Sequence, residues 1–162
     1  MNRFHLQPPP FFEELLTQDG IQYRQQFWND YAPGNDMYYS NTGYGLLGYL
    51  VEIISEQPFE DYCQEHIFDP LEMDDTSFKL TSLNIDNVAI PYEYLQRNYF
   101  PYIHYSFLNY PAGGLRTSAI DLSHFLIAIM NDGVYETTQI LTPDSIEEMH
   151  TIQYQSSTYN FQ

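Results

Sequence analysis

The chain has 162 residues, enough for one domain with a buried core and no need of disulfides. Hydrophobic residues make up 43% of it and aromatic residues 17%, which excludes an intrinsically disordered chain. Five Lys and Arg against 22 Asp and Glu give a net charge of -17, and the resulting field repels nucleic-acid phosphates and anionic lipid surfaces.

Residues 1–37 predict a lead-in of short elements. Pro8-Pro9-Pro10 is a stiff segment, residues 11–16 predict a short helix that Asp19-Gly20 ends, and Pro33-Gly34 predicts a turn. We find no run close to the roughly 18 apolar residues of a membrane span, and the first residues lack the apolar middle of a signal peptide. The cellular location stays open.

Residues 38–162 predict a mainly helical region with small β elements. Apolar residues from Leu46 to Ile54 recur at helical spacing, which predicts an amphipathic helix from Thr42 to about Gln57. Pro58 fits the first turn of a second helix, so the two helices meet at a tight corner. Cys63, the only cysteine, falls on the apolar side of that second helix, which favours a buried and unreactive thiol.

The later elements follow from capping and turn residues. Residues 87–95 predict a strand and residues 96–110 an aromatic loop. Five tyrosines in this part either wall a cleft or, more simply, form a core or interface cluster: Tyr92, Tyr94, Tyr99, Tyr102 and Tyr105. Two more helices complete the prediction. The first is capped by Ser118-x-x-Asp121, has a buried apolar stripe and ends at Asn131-Asp132-Gly133. The second begins at Thr142-Pro143, with proline in its first turn, and runs to His150.

The stretch YYSNTGYGLLGYL contains two patterns of functional interest. Gly43, Gly45 and Gly48 spell the G-x-G-x-x-G of dinucleotide sites, but the residues before them do not form an aliphatic strand and no strand follows at the required distance. Nucleotide binding is therefore a minor alternative. The glycines are better interpreted as packing positions, where another backbone approaches the helix closely.

The second pattern is Tyr39-Ser40-Asn41. On an extended segment, residues two apart share a face, so the Tyr39 hydroxyl and the Asn41 amide would project together and Ser40 away from them. A phenol can relay a proton if a nearby cation helps it to ionise, and an amide can both donate to and accept from a substrate amide. The alternative is a structural tyrosine beside an asparagine that only caps the helix.

A longer match extends this pattern. The residues YYSNTGYGLLGYLVEIISEQPFEDYCQEHIFDPLEMDDTSF, then NVAIPYEYL, then YPAGGLRTSAIDLSHFLIAIMNDG follow one another in an order that resembles the β-lactamase-related serine hydrolases, over about residues 31–150. This family includes class C β-lactamases, D,D-carboxypeptidases and related penicillin-binding-protein-like esterases. The resemblance implies that residues 38–162 are the helical central region of a β-lactamase/transpeptidase-like fold with α and α/β parts, incomplete in this chain.

The resemblance also implies a function and a set of site residues. Such enzymes cleave an amide, β-lactam or ester through an acyl-serine, with the serine in Ser-x-x-Lys and a later Lys-Thr-Gly or His-x-Gly strand. It assigns a catalytic role to Tyr39, substrate binding to Asn41, and the wall of the site to Gly113 and Gly114. The implied partner is a small-molecule or peptide acyl substrate, with no cofactor.

The departures from the family pattern limit this assignment. Neither Ser-x-x-Lys nor the third motif occurs in these 162 residues, and Thr76-Ser77-Phe78-Lys79 has threonine in the serine position and follows Tyr39 instead of preceding it. We therefore expect the nucleophile to lie outside this chain and the chain alone to be inactive. The alternative is a non-catalytic binding or scaffold domain of the same fold. Surface exposed by truncation could lead to self-association.

A metal site is not expected. The histidines His5, His66, His104, His124 and His150 lack H-E-x-x-H or H-x-H spacing, so His66 and His124 are interpreted as structural residues.

Overall fold

The computed structural model describes residues 14–21, 23–32, 34–105 and 109–153. Residues 14–16 are helical and are followed by a turn at Asp19 and Gly20, as predicted, whereas residues 11–13 of that helix and Pro33 lie outside the described residues. Gly34 has φ +85°, as a turn glycine does. The division at residue 37 stays a prediction.

The predicted pair of helices is present. Helix α1 spans Asn41–Ser55 and ends at Glu56, whose backbone is left-handed with φ 57°. Helix α2 spans Phe59–Cys63 and continues as a wider π-helical turn over Gln64–Phe68. The Glu52 carboxylate of α1 accepts a 2.9 Å hydrogen bond from the Phe59 amide, which would otherwise lack a partner at the start of α2.

The buried side of α1 differs from the side that its apolar residues predict. Gly45 and Gly48 are its buried residues, while Leu47 and Ile54 are 58% and 82% exposed. Neighbouring segments pack against the glycine side, where a Cβ at Gly48 would lie 2.7 Å from the Pro111 ring. The prediction of a packing role for Gly48 is thus confirmed, although a proline side chain, and not a backbone, makes the approach.

The core is small and lies where α2 meets the third helix. Helix α3 spans Ala119–Met130. The core residues are Cys63, Phe68, Leu71, Met73 and Ala128. Burial, and secondarily Glu60, raises the pKa of the Cys63 thiol to about 12, so the prediction of a buried, unreactive cysteine is confirmed. The stripe predicted to be buried on α3 is wrong in part, because Leu122 and Leu126 are 43% and 51% exposed.

Two segments distant in sequence, 75–78 and 116–121, pair with each other and join the turn after α2 to the start of α3. The Ser77 and Arg116 backbones exchange hydrogen bonds of 2.9 and 3.0 Å. Beside them, buried Asp121 accepts hydrogen bonds from the Asp75 amide at 2.9 Å and from the Thr76 hydroxyl at 2.7 Å. Ser118 caps α3 as predicted, accepting from the Asp121 amide at 3.1 Å.

The aromatic segment forms a hairpin that was not predicted. Strand β1, Tyr92–Leu95, pairs in antiparallel fashion with β2, Asn98–Pro101. The strand predicted at 87–95 thus begins later, at Tyr92, after a 3₁₀ turn at Ile85–Asn87. The prediction of a loop at 96–110 is wrong for residues 98–101, which form β2. The turn residues Gln96 and Arg97 both have positive φ, 50° and 66°, in place of the glycine or asparagine that usually indicates such a turn.

The tyrosines of this region do not form a core. All five are at least half exposed, and Tyr94 and Tyr99 face each other across the hairpin with ring centroids 4.9 Å apart. The core interpretation of this cluster is therefore wrong.

The last elements agree with their capping residues. Asn131, Asp132 and Gly133 end α3, with φ 50° at Asp132 and 86° at Gly133. A short hairpin pairs β3, Val134–Tyr135, with β4, Thr138–Gln139. Helix α4 spans Pro143–His150, and the Thr142 hydroxyl accepts from the Ser145 amide at 3.2 Å. The predicted fold class, mainly helical with small β elements, is confirmed.

Candidate functional site

Tyr39 and Asn41 meet at the start of α1. Ser40 is extended, with φ -139° and ψ 111°, and its hydroxyl turns back to accept from the Gly43 amide at 3.0 Å. The Tyr39 hydroxyl donates to Oδ1 of Asn41 across 2.9 Å. The predicted shared projection of the two side chains is confirmed, and the helix cap is Ser40, so the capping alternative for Asn41 is wrong.

This pair is accessible and has a free donor group. Tyr39 is 69% exposed, and its ring packs against Tyr44 with centroids 5.8 Å apart. The Asn41 side-chain NH₂ makes no hydrogen bond to any described residue, so it can donate to a carbonyl oxygen. Within the described ranges no basic side chain hydrogen-bonds to Tyr39, and the cation that proton transfer requires stays a prediction.

Gly113 and Gly114 follow a 3₁₀ turn at Tyr110–Ala112. The Gly114 amide donates to the Tyr110 carbonyl at 2.7 Å, and a Cβ on Gly114 would lie 2.9 Å from that oxygen, so the turn requires glycine. Both glycines line a cavity of about 710 Å³. Neither Tyr39 nor Asn41 lines it, so the structure forms two separate pairs from the four predicted site residues.

Asn109 links the two pairs, and sequence reasoning missed it. Its side-chain NH₂ donates to the Asn41 carbonyl at 2.6 Å, which fixes the start of α1 to the segment that leads into the glycines. Its side-chain oxygen is buried and has no hydrogen-bond partner among the described residues. A buried acceptor without a donor is costly, so a group that donates to this oxygen would stabilise the position.

Tyr110, also missed, is held by carboxylates from α1 and α2. Its hydroxyl donates to Glu60, and Glu52 lies 3.3 Å away. Burial, then the hydrogen bond and charge of Glu60, then Glu52, raise the pKa of Tyr110 well above its usual value of 10. Tyr110 therefore keeps its proton, which makes it a structural donor that anchors the turn before Gly113.

The Thr76-Ser77-Phe78-Lys79 sequence has a structural role at every polar position. Thr76 is 2% exposed and its hydroxyl lies 2.7 Å from both Thr117 and Asp121. Lys79 pairs with Glu60 at 3.0 Å and Asp61 at 2.8 Å. Burial alone would lower the pKa of Lys79, but Asp61 and Glu60 raise it overall, so the lysine stays charged and is not a general base.

His66 and His124, the two histidines interpreted as structural from the sequence, both have packing or hydrogen-bond contacts. His124 Nδ1 lies 2.9 Å from the Leu71 carbonyl, and its ring stacks on Tyr135 with centroids 4.7 Å apart. His66 is exposed and packs on Tyr62 at 4.3 Å. In the described ranges, three or more His, Cys, Asp or Glu side chains nowhere come together as metal ligands would.

The family comparison covers nearly the whole sequence. A family model described as Beta-lactamase matches residues 3–161. The chain belongs to the β-lactamase family. The resemblance found in the sequence is confirmed, and the family is one of serine hydrolases. The glycines of the nucleotide pattern lie inside α1, and no strand precedes them among the described residues, so the dinucleotide context is missing.

Three known proteins illustrate how similar this chain is to its relatives in sequence and in structure. Protein flp of Staphylococcus aureus strain MW2 is 30% identical over 127 residues, covering 70% of this chain and 25% of flp. The octameric penicillin-binding protein homologue from Pyrococcus abyssi has a TM-score of 0.66 and 26% identity, covering 93% of this chain and 32% of that protein. D-amino acid amidase from Ochrobactrum anthropi SV3 has a TM-score of 0.56 and 26% identity, covering 73% and 34%.

The chain spans about a quarter of the length of the curated relatives it matches. Within the part that the structure describes, every helix is too short or too polar to cross a membrane.

Proposed function

We propose that this chain contributes Tyr39 and Asn41 to the site of a serine hydrolase whose nucleophilic serine lies outside these 162 residues. The observation that carries the proposal is the 2.9 Å hydrogen bond between the Tyr39 hydroxyl and Asn41 at the exposed start of α1. Membership of the β-lactamase family supports it.

The proposed reaction has two steps. The serine oxygen attacks the carbonyl carbon of an amide, β-lactam or ester, and its proton passes through Tyr39 to the leaving nitrogen or oxygen. Water then cleaves the acyl-serine with the proton moving in the opposite direction. Asn41 orients the substrate by donating from its NH₂ group. Similarity to a D-amino acid amidase supports amides as one substrate class.

Gly113 and Gly114 form part of the wall of the same site in this proposal. Asn109 supports this, because it ties the Asn41 backbone to the segment that leads into the glycines. The absence of a side chain at Gly114 allows the tight turn at Tyr110, and both glycines line the cavity beside it.

The test is covalent labelling followed by intact-protein mass spectrometry. The 162-residue chain and a longer protein that includes the coding sequence upstream of Met1 are incubated with a fluorescent penicillin and with p-nitrophenyl acetate. We expect acylation of the longer protein, with Tyr39→Phe slowing it by about 100-fold or more, and no stable acylation of the chain alone. Tyr38→Phe is the matched control, since Tyr38 is equally exposed and should have no effect.

Two results would overturn the hydrolase proposal. One is stable acylation of the 162-residue chain itself, which would place the nucleophile within it. The other is equal acylation rates for Tyr39→Phe and Tyr38→Phe. A longer protein that binds the penicillin reversibly and is never acylated would favour the alternative, a non-catalytic binding or scaffold domain.

The exposed apolar faces of α1 and α3 support a further proposal, self-association of this chain. Ile54 and Met130 are 82% and 85% exposed, beside the half-exposed Leu47 and Leu126. The net charge of -17 opposes association, so added salt should strengthen it. Sedimentation velocity at low and high salt tests this, with Leu126→Lys and Met130→Lys together expected to give monomers. A monomer at all salt and protein concentrations would contradict it.

A further inference from the structure

The cavity beside Gly113 and Gly114 has the size and lining of a small-molecule site. Its volume of about 710 Å³ falls in the range of about 300–1,000 Å³ that is usual for ligand pockets. Most of its lining is apolar or aromatic, contributed by the 78–91 segment, the 103–105 segment and the glycine segment, including Phe78, Leu83, Val88, Ile103 and Leu115. Such a lining favours a ligand with an aromatic or branched apolar body.

Arg116 supplies a positive charge at this cavity. Its guanidinium is partly buried and is held in place by three backbone carbonyls: Nη1 donates to Gly114 at 3.1 Å and to Phe78 at 3.5 Å, and Nη2 donates to Tyr105 at 3.2 Å. These contacts fix the group without neutralising it, because in the described residues no carboxylate pairs with Arg116.

Part of the guanidinium is still available for hydrogen bonding. Nη1 donates to two carbonyls and Nη2 to one, whereas the Nε hydrogen has no acceptor among the described residues. Nε and Nη2 share one edge of the planar group, and that edge can bind the oxygens of a carboxylate. In a chain with only five Lys and Arg, such a charge at a cavity is unusual.

Asp75 is the acidic residue of the cavity lining and opposes an anion there. Its backbone amide donates to Asp121, but its carboxylate makes no hydrogen bond or ion pair to any described residue. Arg116 should therefore attract a bound carboxylate and Asp75 should repel it, so removal of each charge should change the affinity in opposite directions.

We propose that this cavity binds a carboxylate that carries an aromatic or branched apolar group, with the apolar group in the cavity and the carboxylate at the unpaired Nε–H of the Arg116 guanidinium. The cavity shares Gly113 and Gly114 with the proposed hydrolase site, but neither Tyr39 nor Asn41 lines it. Binding to the 162-residue chain therefore needs no nucleophile and can be measured whether or not the hydrolase proposal holds.

The test is isothermal titration of the 162-residue protein with three probes. N-acetylphenylalanine has both recognition groups, N-acetylphenylalanine amide lacks the charge, and N-acetylglycine lacks the aromatic ring. We expect the first to bind at least about tenfold more tightly than either of the others, as loss of a charge-assisted hydrogen bond predicts. Equal binding of the acid and its amide would overturn the role of Arg116, and no binding of any probe at about 10 mM would overturn the site.

Variants separate the two charges from the cavity itself. Arg116→Gln should weaken N-acetylphenylalanine binding about tenfold or more, and Asp75→Asn should strengthen it by about two- to fivefold because a like charge is removed. Asp75 is exposed and its backbone hydrogen bond is kept, so this variant folds even if Arg116→Gln does not. Weaker binding by Asp75→Asn would overturn the proposal.

A filling variant locates the ligand. Ala89 lines the cavity and is exposed, so Ala89→Trp should fill the space and abolish binding without disturbing the core. Ala32→Trp is the matched control, since Ala32 is exposed and lies outside the lining. Unchanged binding by Ala89→Trp, or equal losses in both variants, would place the ligand elsewhere and contradict the inference.

Discussion

The Thr76 hydroxyl donates a 2.7 Å hydrogen bond to Oδ2 of Asp121, a residue 45 positions away in the chain. Asp121 is 5% exposed and also accepts from the Asp75 amide and from the Ser118 hydroxyl. One carboxylate thus joins the turn after α2 to the start of α3.

Removal of this carboxylate should destabilise the protein strongly. Asp121→Ala removes the acceptor of the buried Thr76 hydroxyl and of the partly buried Asp75 amide and Ser118 hydroxyl, so we expect the free energy of unfolding to fall by about 3 kcal/mol. Asp121→Asn keeps the volume and one oxygen and should cost about half as much. Urea unfolding followed by circular dichroism measures both. An Asp121→Ala variant as stable as the unchanged protein would show that the network carries no net stability.

The same residue predicts a dependence of stability on pH. Burial raises the pKa of Asp121, but the hydrogen bonds from Ser118, Thr76 and the Asp75 amide, together with His124, lower it overall below its usual 3.8. Between the two values the unfolded chain binds more protons, so stability rises with pH there. The contribution is complete above about pH 5 and is lost as the pH falls through the lowered pKa. The Tm difference between the unchanged protein and Asp121→Asn should therefore shrink below pH 4, and a constant difference would contradict this.

Two glycines of the same sequence pattern should respond oppositely to alanine. At Gly48 a Cβ would lie 2.7 Å from Pro111, so Gly48→Ala should destabilise by about 1–3 kcal/mol. At Gly43 a Cβ would meet Ser40 at an ordinary 3.5 Å, and Gly43→Ala should stabilise by up to about 1 kcal/mol through higher helix propensity. Thermal unfolding of both variants checks the signs, and a tolerated alanine at position 48 would refute the close approach.

The sequence predicts the helices well because their signals are local. The caps at Ser118 and Thr142 and the spacing of apolar residues in α1 depend on neighbours within a few residues, as does the contact between Tyr39 and Asn41. Which side of α1 is buried could not be predicted in this way, because burial depends on what packs there, and Pro111 packs on the glycines.

The rest of the candidate site depends on contacts between distant residues. Tyr110 reaches Glu60 and Glu52 across 50 and 58 positions, and nothing near Tyr110 in the sequence indicates these partners. That Gly113 and Gly114 line a cavity which Tyr39 and Asn41 do not reach also depends on how distant segments pack, so the sequence could not predict it. Arg116 did have a signal, since it is one of few basic residues in an acidic chain.

Tyr110 predicts a loss of stability in alkali. Its folded-state pKa is raised, so its contribution is complete below about pH 10, where free tyrosine ionises, and is lost as the pH rises above that value. Tyr110→Phe should cost about 1–2 kcal/mol at neutral pH and should reduce the alkaline loss. Tyr62→Phe is the matched control, since Tyr62 packs on His66 and its hydroxyl makes no hydrogen bond to a described residue. Equal pH profiles for the two variants would contradict the prediction.

The hairpin turn should be improvable. Gln96 and Arg97 both adopt positive φ, a conformation that asparagine and glycine tolerate best. Gln96→Asn combined with Arg97→Gly should stabilise by about 1 kcal/mol and raise Tm. Arg97→Gln alone controls for the lost charge. A lower Tm for the double variant than for this control would show that the turn is not of this type.

The backbone bridge between Ser77 and Arg116 also bears on the order of folding. Contacts at the α1–α2 corner, such as Glu52 with Phe59 seven positions on, close short loops at little entropic cost. The bridge instead closes a loop that contains the whole β1–β2 hairpin, and such long-range pairing is slow. We expect the helical corner to form first and the docking of α3 to limit the folding rate.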